Sequence, residues 1–298
     1  MTDEIELPNK FQSWILASRP KTLLAAVVPV VVGSSIAISE GKFILIYSLV
    51  ALLCSVLIQV GTNFTNDLYD FHKGADNEKR KGPVRVLASG LITVNEMRLG
   101  IIAVFGFAFI LGLYLVSQAG IIILIVGIIS IIAGIAYTAG PFPLAYNGLG
   151  DVFVFLFFGI VGTVFTYYLH SHTVTLISIL ASIPVGALIT NILVVNNFRD
   201  IEEDRAANKK TLAVILGKDF TKYQFISLLV LSFVIPAVLY LFFNFHIIIF
   251  LPYLSLPLAV RLIKMLNTFD GIQLNKTLEL TAKFSALFGF LFALGLTL

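Results

Sequence analysis

Apolar runs of about twenty residues recur along the whole of this 298-residue chain, and each is long enough for a helix to cross the hydrocarbon core of a bilayer. Nine are legible, at roughly 21–38, 43–63, 98–116, 119–137, 149–169, 174–195, 224–243, 246–264 and 279–297. This feature leaves few folds open. With no water to satisfy backbone groups, runs of this length must be helices packed into a bundle. The expectation is an all-α polytopic membrane protein of nine transmembrane helices. The separations at 117–118 and 244–245 are tight turns, so a count of eight also stays open. Pro29, Pro184, Pro236, Pro252 and Pro257 interrupt the runs, which neighbouring helices in a bundle can accommodate. The composition agrees: 58% of residues are hydrophobic and 12% charged, where a soluble domain carries roughly twice that charged fraction. The single cysteine, Cys54, lies inside an apolar run, which excludes an intrachain disulfide and reads as a small packed hydrophobe. The first residues, MTDEIELPNKFQSW, are acidic and polar and lack the basic start of a cleaved signal peptide.

Charge placement tests the layout. With the N-terminus in the cytoplasm, the nine runs put every Lys and Arg except Lys42 on the cytoplasmic side, as the positive-inside rule requires. A wrong segment count would scramble that asymmetry. The same layout puts two acidic clusters on the cytoplasmic side. The first spans Gln59 to Arg85 and carries Asn66, Asp67, Asp70 and Asp76; the second spans Asn196 to Lys210 and carries Asn196, Asp200 and Asp204. Asn63, Asp67 and Asp70 fall at spacings of four and three, Asn66 and Asp70 are four apart, and Asn196, Asp200 and Asp204 fall at four and four, which puts each set on one helical face. Ionisable groups bordering a membrane core are costly, so two such sets on one side predict carboxylates facing each other across a cavity. Carboxylates with asparagines suit a hard cation, and Mg²⁺ best where a phosphorylated substrate completes the shell. Zinc is disfavoured, because no His or Cys stands at ligand spacing in either acidic face.

Basic residues are interleaved with the acids: Lys73, Arg85, Arg199, Arg205, Lys209 and Lys210, with Arg19 opening the first run. Orientation alone accounts for cations here. Together with metal-binding acids they also meet what a diphosphate needs, and Arg199, next to Asp200, and Lys209, a helical turn or so past Asp204, are the favoured two. The loop YTAGPFPLAYNGLGD at 137–151 has no basic residue, and its Tyr137 and Tyr146 are candidates to cover a hydrophobic substrate; ordinary turn chemistry explains it as well. Phenylalanine is abundant (26 residues), with Phe153, Phe155, Phe157, Phe158 and Phe165 in one run. Packing and lipid contact are the default for such rings, but an aromatic-lined tunnel also suits a polyisoprenoid tail, and ring faces can stabilise a nearby carbocation.

These motifs resemble the UbiA family of intramembrane aromatic prenyltransferases. The pattern N-D-x-x-D with a further Asp stands as Asn66, Asp67, Asp70 and Asp76, and D-x-x-x-D as Asp200 and Asp204. RPKTL at 19–23, the 137–151 loop and LFALG at 291–295 extend the resemblance over the whole chain. The stretch NDLYDFHKGADNEKRKGPVR, with Gly74 where many relatives carry the last acid, looks most like the menaquinone-pathway branch. The resemblance implies one UbiA-like transmembrane domain over 1–298, with nine helices enclosing a central cavity under cytoplasmic cap loops, in a bacterial inner membrane. It implies Mg²⁺ held by Asp67, Asp70, Asp76, Asp200 and Asp204, and a diphosphate held by Asn66, Lys73, Arg85, Asn196, Arg199, Lys209 and Arg19. It further implies a polyprenyl diphosphate donor, 1,4-dihydroxy-2-naphthoate as acceptor, and loss of carbon dioxide. Other acceptors, such as 4-hydroxybenzoate or homogentisate, stay open, because a neutral pocket leaves no charge pattern to read. A divalent-cation transporter is the reading from another class, and it would need polar groups through the bilayer, where the outer half of this chain is nearly uncharged. Apart from the bilayer, no protein or nucleic-acid partner is indicated.

Overall fold

The computed structural model describes residues 8–74 and 85–298. Among them the regular structure is helical. The helices are α1 (Lys10–Ser18), α2 (Pro20–Ser39), α3 (Leu45–His72), α4 (Val94–Ala119), α5 (Ile121–Ala136), α6 (Gly150–Ser171), α7 (Leu176–Arg199), α8 (Ile201–Ala206), α9 (Leu212–Phe243), α10 (Ile247–Thr268) and α11 (Leu274–Thr297). Eight of these are long and apolar enough to cross a membrane, and α5, with 16 residues, is a shorter apolar helix. All nine expected runs therefore fold as helices, and the chain is an integral membrane protein. Side chains such as Ile102, Ile110, Leu241 and Phe242, each more than 60% exposed, would be a liability in water and are at home against lipid.

Local chemistry sets the boundaries. Gly120, at φ +83°, breaks α4 from α5, and Asn244, at φ +55°, ends α9. Both positions need the left-handed region that Gly and Asn enter at least cost. Thr93 and Thr175 open α4 and α7 with capping boxes that satisfy their free N–H groups. Two helices extend beyond their apolar runs. The helix α9 begins at Leu212, a dozen residues before its expected start at 224, and absorbs the extra length through a kink at Gly217. The helix α3 continues past its apolar run through Asn66, Asp67 and Asp70 to His72.

Packing makes α2, α7, α9 and α11 the buried heart of the bundle, through Ile36, Leu188, Phe225, Phe284, Phe288 and Phe292. On the other flank α3 packs with α4 and α5. A smaller cluster of Ala17, Phe64, Leu68, Val86, Ile92 and Met97 seats α1 on the polar face, with Trp14 against Phe64. The helix α6 is π-helical from Phe155 to Val161. Its back meets α7 where a Cβ on Gly159 would stand 2.6 Å from the Gly186 Cα, so the two helices touch backbone to backbone.

Candidate active site

The helix α3 builds the first wall. Its last turns bury Asn63, Asn66, Asp67 and Asp70 toward the bundle interior. Asp67 Oδ1 accepts a hydrogen bond from Arg19 Nη2 at 2.6 Å and another from Arg85 Nη1. Arg19 reaches it from the α1–α2 junction, where its backbone takes a left-handed φ of +52°. Asp70 Oδ1 accepts from the Tyr146 hydroxyl at 2.8 Å, with Arg85 Nη2 3.5 Å from its Oδ2. Asn66 Oδ1 accepts from Thr138 Oγ1 at 2.8 Å.

The end of α7 and the short α8 build the second wall. Arg199 is buried, and its fork donates from Nε and Nη2 to the two oxygens of Asp200, each at 2.6 Å. The same guanidinium reaches Asn196 at 2.9 Å and Asn275 at 2.6 Å. Asp204 differs. Its Oδ1 lies 3.4 Å from Lys209 Nζ, while its buried Oδ2 has no hydrogen-bond partner. Burial pushes the Asp204 carboxyl up to about 6; Lys209 opposes this, and the like charges of Asp200 and Asp70 add to it. That Asp70 is felt at Asp204 reflects how close the two walls stand.

The loop between α5 and α6 braces them. The Tyr146 ring lies 3.9 Å from Lys73 Nζ and 5.6 Å from Lys209 Nζ, one lysine from each wall. Lys73 Nζ also donates to the Thr138 carbonyl at 3.0 Å, and Lys210 N–H to the Tyr146 carbonyl at 3.1 Å. Burial lowers the Lys73 pKa, against the pull of Asp70. Burial also drives the Tyr137 phenol well above its usual range, helped by Asp151, Asp70 and Asp204.

Both walls line one cavity of about 950 Å³. From Asp70 it follows α3 past Thr62, Ile58 and Ser55 to Ala51, a depth of roughly 28 Å at the helical rise per residue. Below the acids the walls are mainly apolar, with Val116 of α4, Ile131 of α5, Phe157 and Phe165 of α6, and Ile189 of α7. Val30, Ala51, Leu115, Ile123 and Leu169 gather at the far end.

Of the residues singled out from the sequence, Arg19, Asn66, Asp67, Asp70, Arg85, Tyr137, Asn196, Asp200, Asp204 and Lys209 line this cavity. Lys73, Tyr146 and Arg199 stand behind that lining and hold it. Asp76 lies outside the described residues. Thr138 and Asn275, which orient Asn66 and Arg199, carried no signal of their own in the sequence. Among the described residues no three acidic, His or Cys side chains gather tightly enough to hold an ion by themselves. The donor set still fits a hard cation, since its atoms are carboxylate and amide oxygens and one buried oxygen of Asp204 awaits a partner. Such an ion takes its remaining ligands from substrate and water.

The sequence model of the UbiA prenyltransferase family matches residues 26–292. A 1,4-dihydroxy-2-naphthoate octaprenyltransferase of Escherichia coli (strain K12) is 36% identical over 297 residues, covering 97% of this chain and 96% of its own. The protein of the same name in Bacillus subtilis (strain 168) is 31% identical, covering 94% and 90%. Among solved structures, a UbiA homolog from Archaeoglobus fulgidus bound to DMAPP and Mg²⁺ shares the fold with a TM-score of 0.65 at 17% identity, over 94% of this chain and 99% of its own.

Proposed function

The chain belongs to the UbiA prenyltransferase family, and from that premise we propose that it transfers a polyprenyl group from an isoprenyl diphosphate to 1,4-dihydroxy-2-naphthoate. Diphosphate and carbon dioxide are released and a demethylmenaquinol is formed, a step of menaquinone biosynthesis. The observation that carries this reading is the junction of two environments in one cavity of about 950 Å³: a mouth of carboxylates, amides and cations continues directly into apolar walls. A diphosphate fits the first and a polyprenyl tail the second.

Mg²⁺ bound at the mouth would supply positive charge against the departing diphosphate. Asp70 and Asp204, one from each wall, are the acids to hold it, because their oxygens are the least engaged by arginine. Asp76 is assigned to the same set by its sequence pattern. Asp67 and Asp200, held by arginines, position the walls. Lys209, Arg85 and Arg19 line the mouth and offer N–H donors to diphosphate oxygens as the C–O bond breaks and negative charge grows there. Asn66 and Asn196, fixed by Thr138 and Arg199, orient the same group. The apolar walls exclude water from the allylic cation, which the electron-rich naphthoate ring attacks; loss of carbon dioxide then restores aromaticity. The acidic face lies on the cytoplasmic side of a bacterial inner membrane, where both water-soluble groups arrive.

Purified protein in detergent should transfer a labelled prenyl group to 1,4-dihydroxy-2-naphthoate only with Mg²⁺, and EDTA should stop it. Mass spectrometry of the products from a panel of aromatic acceptors and prenyl diphosphates decides acceptor and chain length. Asp70→Ala and Asp200→Ala should each cut turnover at least a hundredfold while the protein still inserts. Full activity in both would remove the site assignment.

A further inference from the structure

Just below the acids, the α6 side of the cavity is aromatic. Phe153, Phe157 and Phe158 line it, and the Phe153 and Phe157 rings lie nearly parallel, with centroids 5.8 Å apart and 13° between planes. Phe157 and Phe158 sit in the π-helical turn, a rare widened geometry that sequences keep mainly at functional sites. Glycines hold that turn close on two sides. Behind it a Cβ on Gly159 would meet the Gly186 backbone, and at the cavity lining one on Gly162 would stand 2.7 Å from Pro29 Cβ.

Depth follows from the antiparallel pairing of α6 with α7, in which Gly150 sits against Leu193 and Gly159 against Gly186. That register places Phe153 roughly 8 Å below Asn196 at the helical rise per residue, and Phe157 one turn deeper. A diphosphate held by the two walls puts the first carbons of its tail at this level. Among the described residues no carboxylate lines the cavity below the acid walls. When the C1–O bond breaks, its electron pair leaves with the diphosphate, and positive charge spreads over C1 and C3 of the donor. The π-systems of Phe153 and Phe157, both in the cavity lining, are what this wall offers to that charge.

We propose that Phe153 and Phe157 are catalytic residues whose stacked rings stabilise the allylic cation until the acceptor carbon bonds to C1. The proposal rests on the prenyl-transfer reading. Its test uses the full chain in detergent with mono-, di- and trifluorinated phenylalanine placed at Phe153 or Phe157. Fluorine drains the ring face at nearly constant volume, so a packing role is barely touched. With farnesyl diphosphate as donor, kcat should fall stepwise with each fluorine, by about tenfold or more across the series at the more sensitive position, with KM for the donor unchanged. Phe157→Leu should lose at least as much, and Phe157→Trp should retain most of the rate. A flat fluorine series at both positions overturns the proposal while leaving prenyl transfer intact. No transfer by the unsubstituted chain overturns both.

Discussion

Replacing Asp204 by asparagine should stabilise the metal-free protein and abolish its turnover. The carboxyl is 8% exposed, and one of its oxygens is buried without a partner. Burial, set against Lys209, lifts its pKa from the usual 3.8 to about 6 in the folded chain. A folded-state value above that of the unfolded chain means folding favours the protonated form. The contribution to stability is full below about pH 4 and is lost as pH rises through about 6. A shift of roughly two units corresponds to about 3 kcal/mol of penalty at neutral pH. Asparagine has the shape of the protonated acid and carries no such penalty, and Lys209, which lines the open mouth, can hydrate once its partner is gone. The assay is thermal unfolding in detergent with EDTA, at pH 4 and pH 8. Parent and Asp204→Asn should melt close together at pH 4, and the variant should melt higher at pH 8. Adding Mg²⁺ and inorganic diphosphate should raise the midpoint of the parent and leave the variant unmoved. A variant that melts below the parent at pH 8 in EDTA would refute the claim that this acid is held ionised at a cost to the fold.

Four further substitutions probe the scaffold. Asp67→Asn should lower the melting temperature, because it strips the partner shared by Arg19 and Arg85; breaking such a buried pair costs about 3 kcal/mol, and unchanged stability would show the two arginines to be satisfied elsewhere. Tyr146→Phe removes a hydrogen bond to the Asp70 carboxylate worth roughly 2 kcal/mol, and should lower the melting point of the metal-free protein; an unchanged midpoint would show that the bond adds nothing to the fold. Gly186→Ala sets a Cβ 2.8 Å from the Phe155 carbonyl and should destabilise the protein by forcing α6 off α7; an unchanged melting curve would count against the close approach. Gly100→Ala would place a Cβ 2.6 Å from Trp14 Cη2. Since Trp14 is the only tryptophan in the chain, its emission should shift red as α1 lifts from its seat.

Most of the membrane architecture was legible because apolar run length and the placement of Lys and Arg answer to the bilayer, not to details of packing. Runs read at 174–195 and 246–264 became α7 and α10 with starts displaced by two residues or fewer. Where the polar face sets the boundary, hydropathy misses it, as at α9, whose first turns carry Lys218, Asp219 and Lys222. The acids were legible by spacing, but their partners were not. Arg199 lies next to Asp200 in sequence, yet Asn275 comes from α11, 76 positions away, and an asparagine near a helix start announces nothing by itself. The 137–151 loop offered substrate cover or plain turn chemistry, and Tyr137 lines the cavity. What the sequence did not announce is that Thr138 and Tyr146 tie Asn66 and Asp70 to the lysines of both walls, a role that no uncharged loop advertises. The π-helical turn was equally silent, since FLFFGIVG reads as ordinary helix until Gly159 is seen against Gly186.

The two walls, which share little more than an asparagine four residues before an aspartate, converge in chemistry. Each has an asparagine whose side-chain oxygen is already occupied, Asn66 by Thr138 and Asn196 by Arg199. Each has an acid tied to arginine, Asp67 or Asp200, and a second acid engaged mainly by a hydroxyl or an amine, Asp70 or Asp204. Each contributes one lysine to the ring of Tyr146. Buried ion pairs add little net stability, so so many of them at one end of a bundle need a reason other than folding. Division of labour supplies one. Arginine forks are rigid and always charged, so the acids they hold keep their positions whether or not the mouth is filled. The acids facing Tyr146 and Lys209 would give up only a hydroxyl or an amine to take a cation, and a displaced ammonium would be left where it can donate a hydrogen bond to a diphosphate oxygen. On this arrangement the metal and the phosphate are bound by one exchange of partners, which predicts that inorganic diphosphate and Mg²⁺ bind cooperatively to the chain without any prenyl tail. Calorimetric titration of each in the presence and absence of the other measures that coupling, and independent binding would count against the exchange.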